Sequence, residues 1–347
     1  MPGKDRDRLN YLKQTPYLRR LGQEAATQVR ISQIDFATME RISYQLLTYE
    51  TTKGHRGAIH VNGMVYDLCD VVSTTCVSML DALRNWDQIS SRLETFALDP
   101  NTANISSQAL KNVNILAPIP SPTTVFCAGG NFTDHLDEMS RVLDVKPGPN
   151  LKERGEPPFF FLKNTTGVCG PGSVTKIDSP DIMVDWELEL VAIIGRVARH
   201  VSRDEAMRYV AGFTVGNDLS FRQNIQRKEL QPGDAFKFDW FRQKCFDGSC
   251  PVGPWMMPTN QVPNIEDLGM RLWVDDELMQ DTNTGNMIFS VAEQVAELSH
   301  QLTLHPGDMI MTGTGAGVGL GRGRFLKTGN TVRCMIEGIG EFSHYIG

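Results

Sequence analysis

The sequence predicts a mixed α/β protein that is mainly β: a small N-terminal α/β module followed by a larger strand-rich domain. Three observations carry this. The 347-residue chain is 41% apolar and 22% charged, an ordinary globular composition, long enough for one large domain and a smaller one. From about residue 123 the apolar segments are short and β-branched, with the period of strands. The helices there are few and marked by explicit start and stop residues.

Taken in order, residues 1–40 form an N-terminal extension with seven Lys or Arg against four Asp or Glu up to residue 38. Short helices wrapped on the body and a loose segment are both compatible with it. Residues 41–118 form the small module. Within it, residues 56–68 read as two strands joined by the Asn62-Gly63 turn. Helices follow over 77–85 and 87–97. The stiff Pro118-Ile119-Pro120-Ser121-Pro122 segment marks the boundary, and residues 119–347 form the main domain. Ser202 with Glu205 predicts a capped helix through Val210. Ser290 with Glu293 predicts another, with Val291, Val295, Leu298 and Leu302 on one face and Pro306-Gly307 as its stop.

The net charge of −7 argues against a nucleic-acid partner. No apolar run has the length of a membrane span. The seven cysteines form no CxxC pair or zinc-type spacing and read as thiols in a reducing compartment. Arg19-Arg20 is followed by polar residues and not by an export signal's apolar stretch, so a cytoplasmic location is expected.

The run over residues 184–195 is the most informative. As a strand it sets Asp185, Glu187 and Glu189 on one face, with Trp186, Leu188, Leu190 and Ala192 on the other. Val191 and Ile193 continue the carboxylate face, so both sides of the sheet read as buried. Buried carboxylates call for a cation or a shared proton, and oxygen-only ligands suit Mg²⁺, Mn²⁺ or Ca²⁺. A strand whose charged face meets solvent is the alternative. Asp218, in the run over 211–222 that reads as a strand ending at a polar corner, can complete such a site or cap the next turn. His135 and Glu138 are i and i+3 on a helix, where the carboxylate would orient the imidazole as a general base; a surface helix with a lone His is the alternative. Lys163, ending an apolar strand, is an anion contact or a snorkelling end residue. Lys244 carries no signal of its own. The glycine-rich loop over 311–319 fits neither dinucleotide nor Walker spacing and reads as close backbone approach to a small ligand.

In this order the segments resemble the fumarylacetoacetate hydrolase family. The resemblance rests on Asn131-Phe132-x-x-His135-x-x-Glu138, Phe161-Leu162-Lys163, Glu187-Leu188-Glu189-Leu190 and Asn217-Asp218-x-Ser220-x-Arg222. Lys244-x-Phe246-Asp247 before Gly253-Pro254-Trp255, and Pro306-Gly307-Asp308-x-Ile310-x-Thr312-Gly313-Thr314, extend it over roughly residues 115–347. The first module is similar to that family's smaller N-terminal domain. The resemblance implies a mixed β-sandwich roll, a homodimer, and one divalent cation held by Glu187, Glu189 and Asp218. That cation would be Mg²⁺ or Mn²⁺, with Ca²⁺ as the alternative. It also implies catalytic roles for His135 and Glu138 on a lid and for Lys163, and substrate contacts from Arg222, Lys244 and Thr314. Four positions depart from the family pattern: Ala128 where an extra Asp ligand can stand, Gln223-Asn224-Ile225 after Arg222, Gly315 for a usual Pro, and Phe132 for a Tyr.

The activity so implied is hydrolysis of a carbon–carbon bond in an acylpyruvate-type β-diketo acid. The cation would chelate the 2-oxo acid end, His135 oriented by Glu138 would deprotonate a water, and the bond would break toward an enolate. Lys163 would offset the substrate's remaining charge. The same chemistry serves oxaloacetate decarboxylation, hydration or isomerisation of 2-oxo-enoates, and tautomerisation. A metabolite-binding protein without catalysis is a third class. In every case the partner is a small-molecule 2-oxo acid.

Overall fold

The computed structural model describes residues 43–101, 104–177, 179, 182–231 and 233–347. The expectation for the extension lies outside the described residues. β1 (Tyr44–Thr51), β2 (Gly54–Val61), β3 (Met64–Asp67) and β4 (Ser107–Ala109) pair antiparallel. Asn62 and Gly63 join β2 to β3 at φ 50° and 79°, the left-handed pair that a tight hairpin needs. Helices Met79–Arg84, with a Ser78–Asp81 capping box, and Trp86–Leu98 follow. Their Met79, Leu83, Trp86, Ile89 and Leu93 are buried in one core with β-strand residues.

β5 (Val125–Gly129) leads into helix Thr133–Val142, then to β6 (Phe159–Lys163), β7 (Val168–Cys169) and β8 (Val174–Thr175). β9 (Val184–Asp185), β10 (Leu188–Ile194), β11 (Val210–Asn217), β12 (Ser220–Phe221) and β13 (Cys250–Pro258) come next. The chain ends with β14 (Gly269–Val274), β15 (Glu277–Asn283), β16 (Met309–Thr314), β17 (Thr331–Ile336) and β18 (Gly340–Ile346). The large sheet runs β4-β3-β2-β1-β13-β11-β10-β16-β5-β6, with β7 beside β13; a second runs β15-β14-β17-β18-β8. Leu46 pairs with Met256, so the first module's strands continue the large sheet. β10 lies inside it, between β11 and β16. All its residues are buried. Leu188, Leu190 and Ala192 join one core, together with Met270, Leu272 and Val332 of the second sheet. Val191 and Ile193 join the other, with Met256 and Met309. The mainly β class and the two-sided burial are as expected. Among the described residues no helix is long and apolar enough to cross a membrane.

Three local readings are corrected. The strand expected over 184–195 breaks at Trp186 and Glu187, and β9 pairs with β12, outside the large sheet. The helix expected through Val210 spans only Arg203–Ala206 and tightens into a 3₁₀ turn over Met207–Tyr209. Ser202 bonds the Glu205 side chain and not a backbone N–H, so it caps weakly, and the β-branched, aromatic run from Val210 takes the chain into β11. Helix Val291–Gln301 has its Ser290–Glu293 capping box, but Leu302 lies past its end and is 37% exposed.

Candidate active site

The break between β9 and β10 builds the centre. Released from the ladder, the Glu187 N–H donates to Asn217 Oδ1 (2.8 Å), and the Glu187 carbonyl accepts from the Asp218 N–H (2.8 Å). Leu188 N–H donates to the buried Gln280 Oε1 at 2.9 Å. These bonds bring Glu187 beside the β11 corner, while Glu189 sits in β10 opposite Gly216 and Thr314. Carboxylate oxygens of Glu187, Glu189 and Asp218 lie within 4.8 Å of one another. Their exposures are 7%, 1% and 0%.

Three cations surround them. Lys163 Nζ bonds Asp218 Oδ1 (2.5 Å) and the Leu219 carbonyl (3.0 Å). Lys244 Nζ bonds Glu187 (2.8 Å) and Asp218 (2.6 Å). Arg222 spans Glu187 and Asp185, at 2.6 Å to each. Asp185 also accepts from the Trp186, Gly319 and Leu320 N–H groups, so its oxygens are occupied by the 319–320 turn. A Cβ on Gly319 would stand 2.6 Å from Asp185 Oδ1, so this approach needs glycine. Asp185 therefore shares the sequence run but not the cluster.

Glu189 is the exception. It accepts the Gly313 N–H at 2.7 Å and, among the described residues, forms an ion pair with none of the three cations. Burial, with Asp218 and Glu187 alongside, pushes its pKa well above the usual carboxylate range. Burial also acts upward on Glu187, but Lys244 and Arg222 outweigh it and hold that group well below the range. Three buried carboxylates with one uncompensated form an all-oxygen donor set that fits a hard divalent cation. The position of the extra family ligand is the buried, apolar Ala128.

Helix Thr133–Val142 places the His–Glu pair. The buried Asn131 hinges it: Nδ2 donates to the Thr312 (2.8 Å) and Phe289 (3.0 Å) carbonyls, and Oδ1 accepts the Phe289 N–H. Asp134 accepts from Thr282 Oγ1 at 2.6 Å. His135 Nδ1 lies 3.6 Å from Glu138 Oε2, an ion-pair distance longer than a hydrogen bond. Nδ1 is buried without a hydrogen-bond partner among the described residues. Both Glu138 oxygens are 3.0 Å from the Gly317 N–H, at a glycine with φ 99°. Burial alone would raise the Glu138 pKa, but His135 and the Gly317 N–H lower it overall. Thr314 Oγ1 accepts from Gln280 Nε2 at 2.9 Å. Lys244 Nζ also stands 5.0 Å over the Phe161 ring, on which Trp240 stacks.

The structure thus gathers Lys163, Glu187, Glu189, Asp218, Arg222 and Lys244 in one network, with His135 and Glu138 on the adjoining helix. Lys163, Lys244 and Arg222 bind carboxylates directly. Asn217, Asn131 and Gln280 were not singled out by sequence reasoning. The two asparagines stood in the quoted motifs; nothing marked Gln280, because its partners are backbone groups remote in sequence.

A mainly β fold with a buried carboxylate trio, ringed by cations and flanked by a His–Glu helix, is the framework of a protein able to hold a divalent cation. Residues 124–346 match the family model described as fumarylacetoacetate (FAA) hydrolase C-terminal. The chain belongs to the fumarylacetoacetate hydrolase family. It is 34% identical over 250 residues, 72% of each chain, to the Xenopus laevis protein named oxaloacetate tautomerase fahd2, mitochondrial. The solved fumarylacetoacetate hydrolase of psychrophilic Exiguobacterium antarcticum superimposes with a TM-score of 0.69 at 27% identity, covering 88% of this chain and 99% of that one. Maleylpyruvate hydrolase of Sphingobium sp. SYK-6, solved with manganese(II) ion and pyruvate, does so with a TM-score of 0.65 at 25% identity, covering 86% and 98%.

Proposed function

We propose that this protein is a divalent-cation-dependent enzyme acting on a 2-oxo acid, and that its reaction is keto–enol tautomerisation of oxaloacetate. The observation that carries the reading is the buried trio Glu187, Glu189 and Asp218 with its uncompensated charge beside a His–Glu pair. The relative named oxaloacetate tautomerase supports the choice of reaction. Mg²⁺ or Mn²⁺ held by the trio would supply Lewis acidity toward the 2-oxo and carboxylate oxygens. His135 takes the proton from the carbon beside the keto group and returns it to the 2-oxo oxygen, so that the enol forms with no net gain or loss of protons. Glu138, fixed by Gly317, orients the imidazole. Lys244 and Arg222 hold Glu187 ionised, and with Lys163 they add positive potential toward an anionic substrate.

Carbon–carbon hydrolysis of an acylpyruvate is the second reading. It is favoured by the same His–Glu pair, which suits deprotonating a water, and by the likeness to two hydrolases. One experiment separates the readings: purified protein with Mg²⁺ or Mn²⁺, supplied with enol oxaloacetate and a panel of acylpyruvates, with enol absorbance followed and products weighed. Faster loss of the enol with no carbon lost supports tautomerisation. Pyruvate and a carboxylic acid from acylpyruvates support hydrolysis, and carbon dioxide from oxaloacetate would show decarboxylation. No acceleration of any of these in the metal-loaded protein would defeat the proposal.

A further inference from the structure

The polar side chains that ring the centre are committed: Lys163 to Asp218, Lys244 to Glu187 and Asp218, Arg222 to Asp185 and Glu187, Thr314 to Gln280. Gln243 is not. It is 0% exposed, yet neither Nε2 nor Oε1 has a hydrogen-bond partner among the described residues. An amide sealed from water with both ends unpaired is costly, and folded proteins satisfy such groups with protein, water or ligand.

Its position says which. Gln243 lies on helix Trp240–Lys244, where Trp240, Gln243 and Lys244 stand at i, i+3 and i+4 and share a face. On that face Lys244 reaches two of the trio, and Trp240 stacks on Phe161. Phe241, on the outer side, is 70% exposed. The helix packs against β6, β12 and the turn Arg222–Asn224, and each of these carries a residue of the network: Lys163, Ser220 or Arg222. Gln243 is therefore buried on the helix that supplies Lys244 to the centre and packs against three of its walls.

We propose that Gln243 contacts substrate and determines specificity, its Nε2 donating to an oxygen on C4 of a 2-oxo acid. That oxygen belongs to a carboxylate in a 2-oxo diacid or to a keto group in an acylpyruvate. The inference rests on the 2-oxo acid reading above and goes beyond it by naming what the substrate carries at its far end. An amide suits this place because it donates to a carbonyl oxygen and accepts from an enol hydroxyl, whichever tautomer is bound.

The test uses the full chain loaded with Mn²⁺ and oxalate, with oxaloacetate, acetylpyruvate and pyruvate as competitors. Oxalate and pyruvate have no C4 oxygen; the other two have one. Gln243→Met should bind oxalate and pyruvate within about twofold of wild type, and oxaloacetate and acetylpyruvate about tenfold or more weakly. Its Tm without ligand should equal or exceed that of wild type, because no protein hydrogen bond is lost. Equal weakening of all four ligands, or of none, overturns the inference. So does a clear drop in Tm, which would make the amide structural. If the wild-type protein with Mn²⁺ fails to bind oxalate, the reading of the centre falls and the inference with it; a failure confined to the Gln243 arm leaves that reading standing.

Discussion

At the scale of single residues, Glu189 and His135 are proposed for different parts of the chemistry and separate under substitution. Glu189 has like charges beside it and a single backbone donor. Losing a residue that merely supports a metal ligand costs 10–100-fold in affinity, so Glu189→Gln should weaken Mn²⁺ binding by about 100-fold or more. It should also raise the Tm of the metal-free protein near neutral pH, because folding no longer has to push a carboxyl's pKa upward against burial and two neighbouring carboxylates. A metal titration that gives the wild-type dissociation constant would sink the ligand assignment. His135 is aligned with Glu138 and is absent from the carboxylate cluster. His135→Ala should leave the Mn²⁺ dissociation constant nearly intact and lower kcat by about 10²–10⁴-fold, the range for a lost general base. Glu138→Ala should move in the same direction, and the double variant should be little worse than the worse single one. If His135→Ala loses metal and keeps kcat at saturating cation, the histidine is a ligand and not a base.

At the scale of elements, helix Thr133–Val142 is held by few contacts. It buries no residue fully. Its ties include Asn131 at its start, Thr133 and Asp134 to Asn286, Asp134 to Thr282, and Glu138 to Gly317. Such an element opens locally at low cost, as a lid must. Amide exchange over residues 133–142 should be fast in the free protein and slow when Mn²⁺ and oxalate are added. Unchanged protection with oxalate demonstrably bound would remove the closing role. This helix, the hairpin at Asn62-Gly63 and the helix begun by Ser290 could be read from sequence because local signals decide them: i,i+3 spacing, a two-residue turn, a capping box. The break at Trp186 and Glu187 could not. Alternation runs straight through it, and what ends the ladder is the Asn217 side chain taking the Glu187 N–H, a partner thirty residues away. The helix after Ser202 was over-read for a related reason, since the cap marks a start while the β-rich run from Val210 sets the end. The trio and the His–Glu pair were legible as motifs. Gln280 and Gln243 were not, because a buried glutamine takes its meaning wholly from tertiary surroundings.

At the scale of the whole molecule, the centre is tied to the fold's interior. Glu189 stands in β10, inside the large sheet between two hydrophobic cores. Glu187 is in the break before it and Asp218 at the corner after β11. No short segment can present the trio alone, so a cation that needs all three binds the folded chain and not the unfolded one. The trio, together with Asp185 that shares Arg222 with it, sets four carboxylates against three cations, Lys163, Lys244 and Arg222. A divalent ion reverses that imbalance. Mn²⁺ or Mg²⁺ at about 100 times its dissociation constant should therefore stabilise the fold by about 2.7 kcal/mol, raising Tm by on the order of 5 °C for a body of this size. The increment should grow with the logarithm of free cation, vanish on chelation, and be largely lost in Glu189→Gln, while His135→Ala keeps it. Thermal scans across a cation series in these three proteins decide the matter. A wild-type Tm indifferent to both cation and chelator would mean that the trio shares a proton in place of a metal, and the enzymatic reading would lose its foundation.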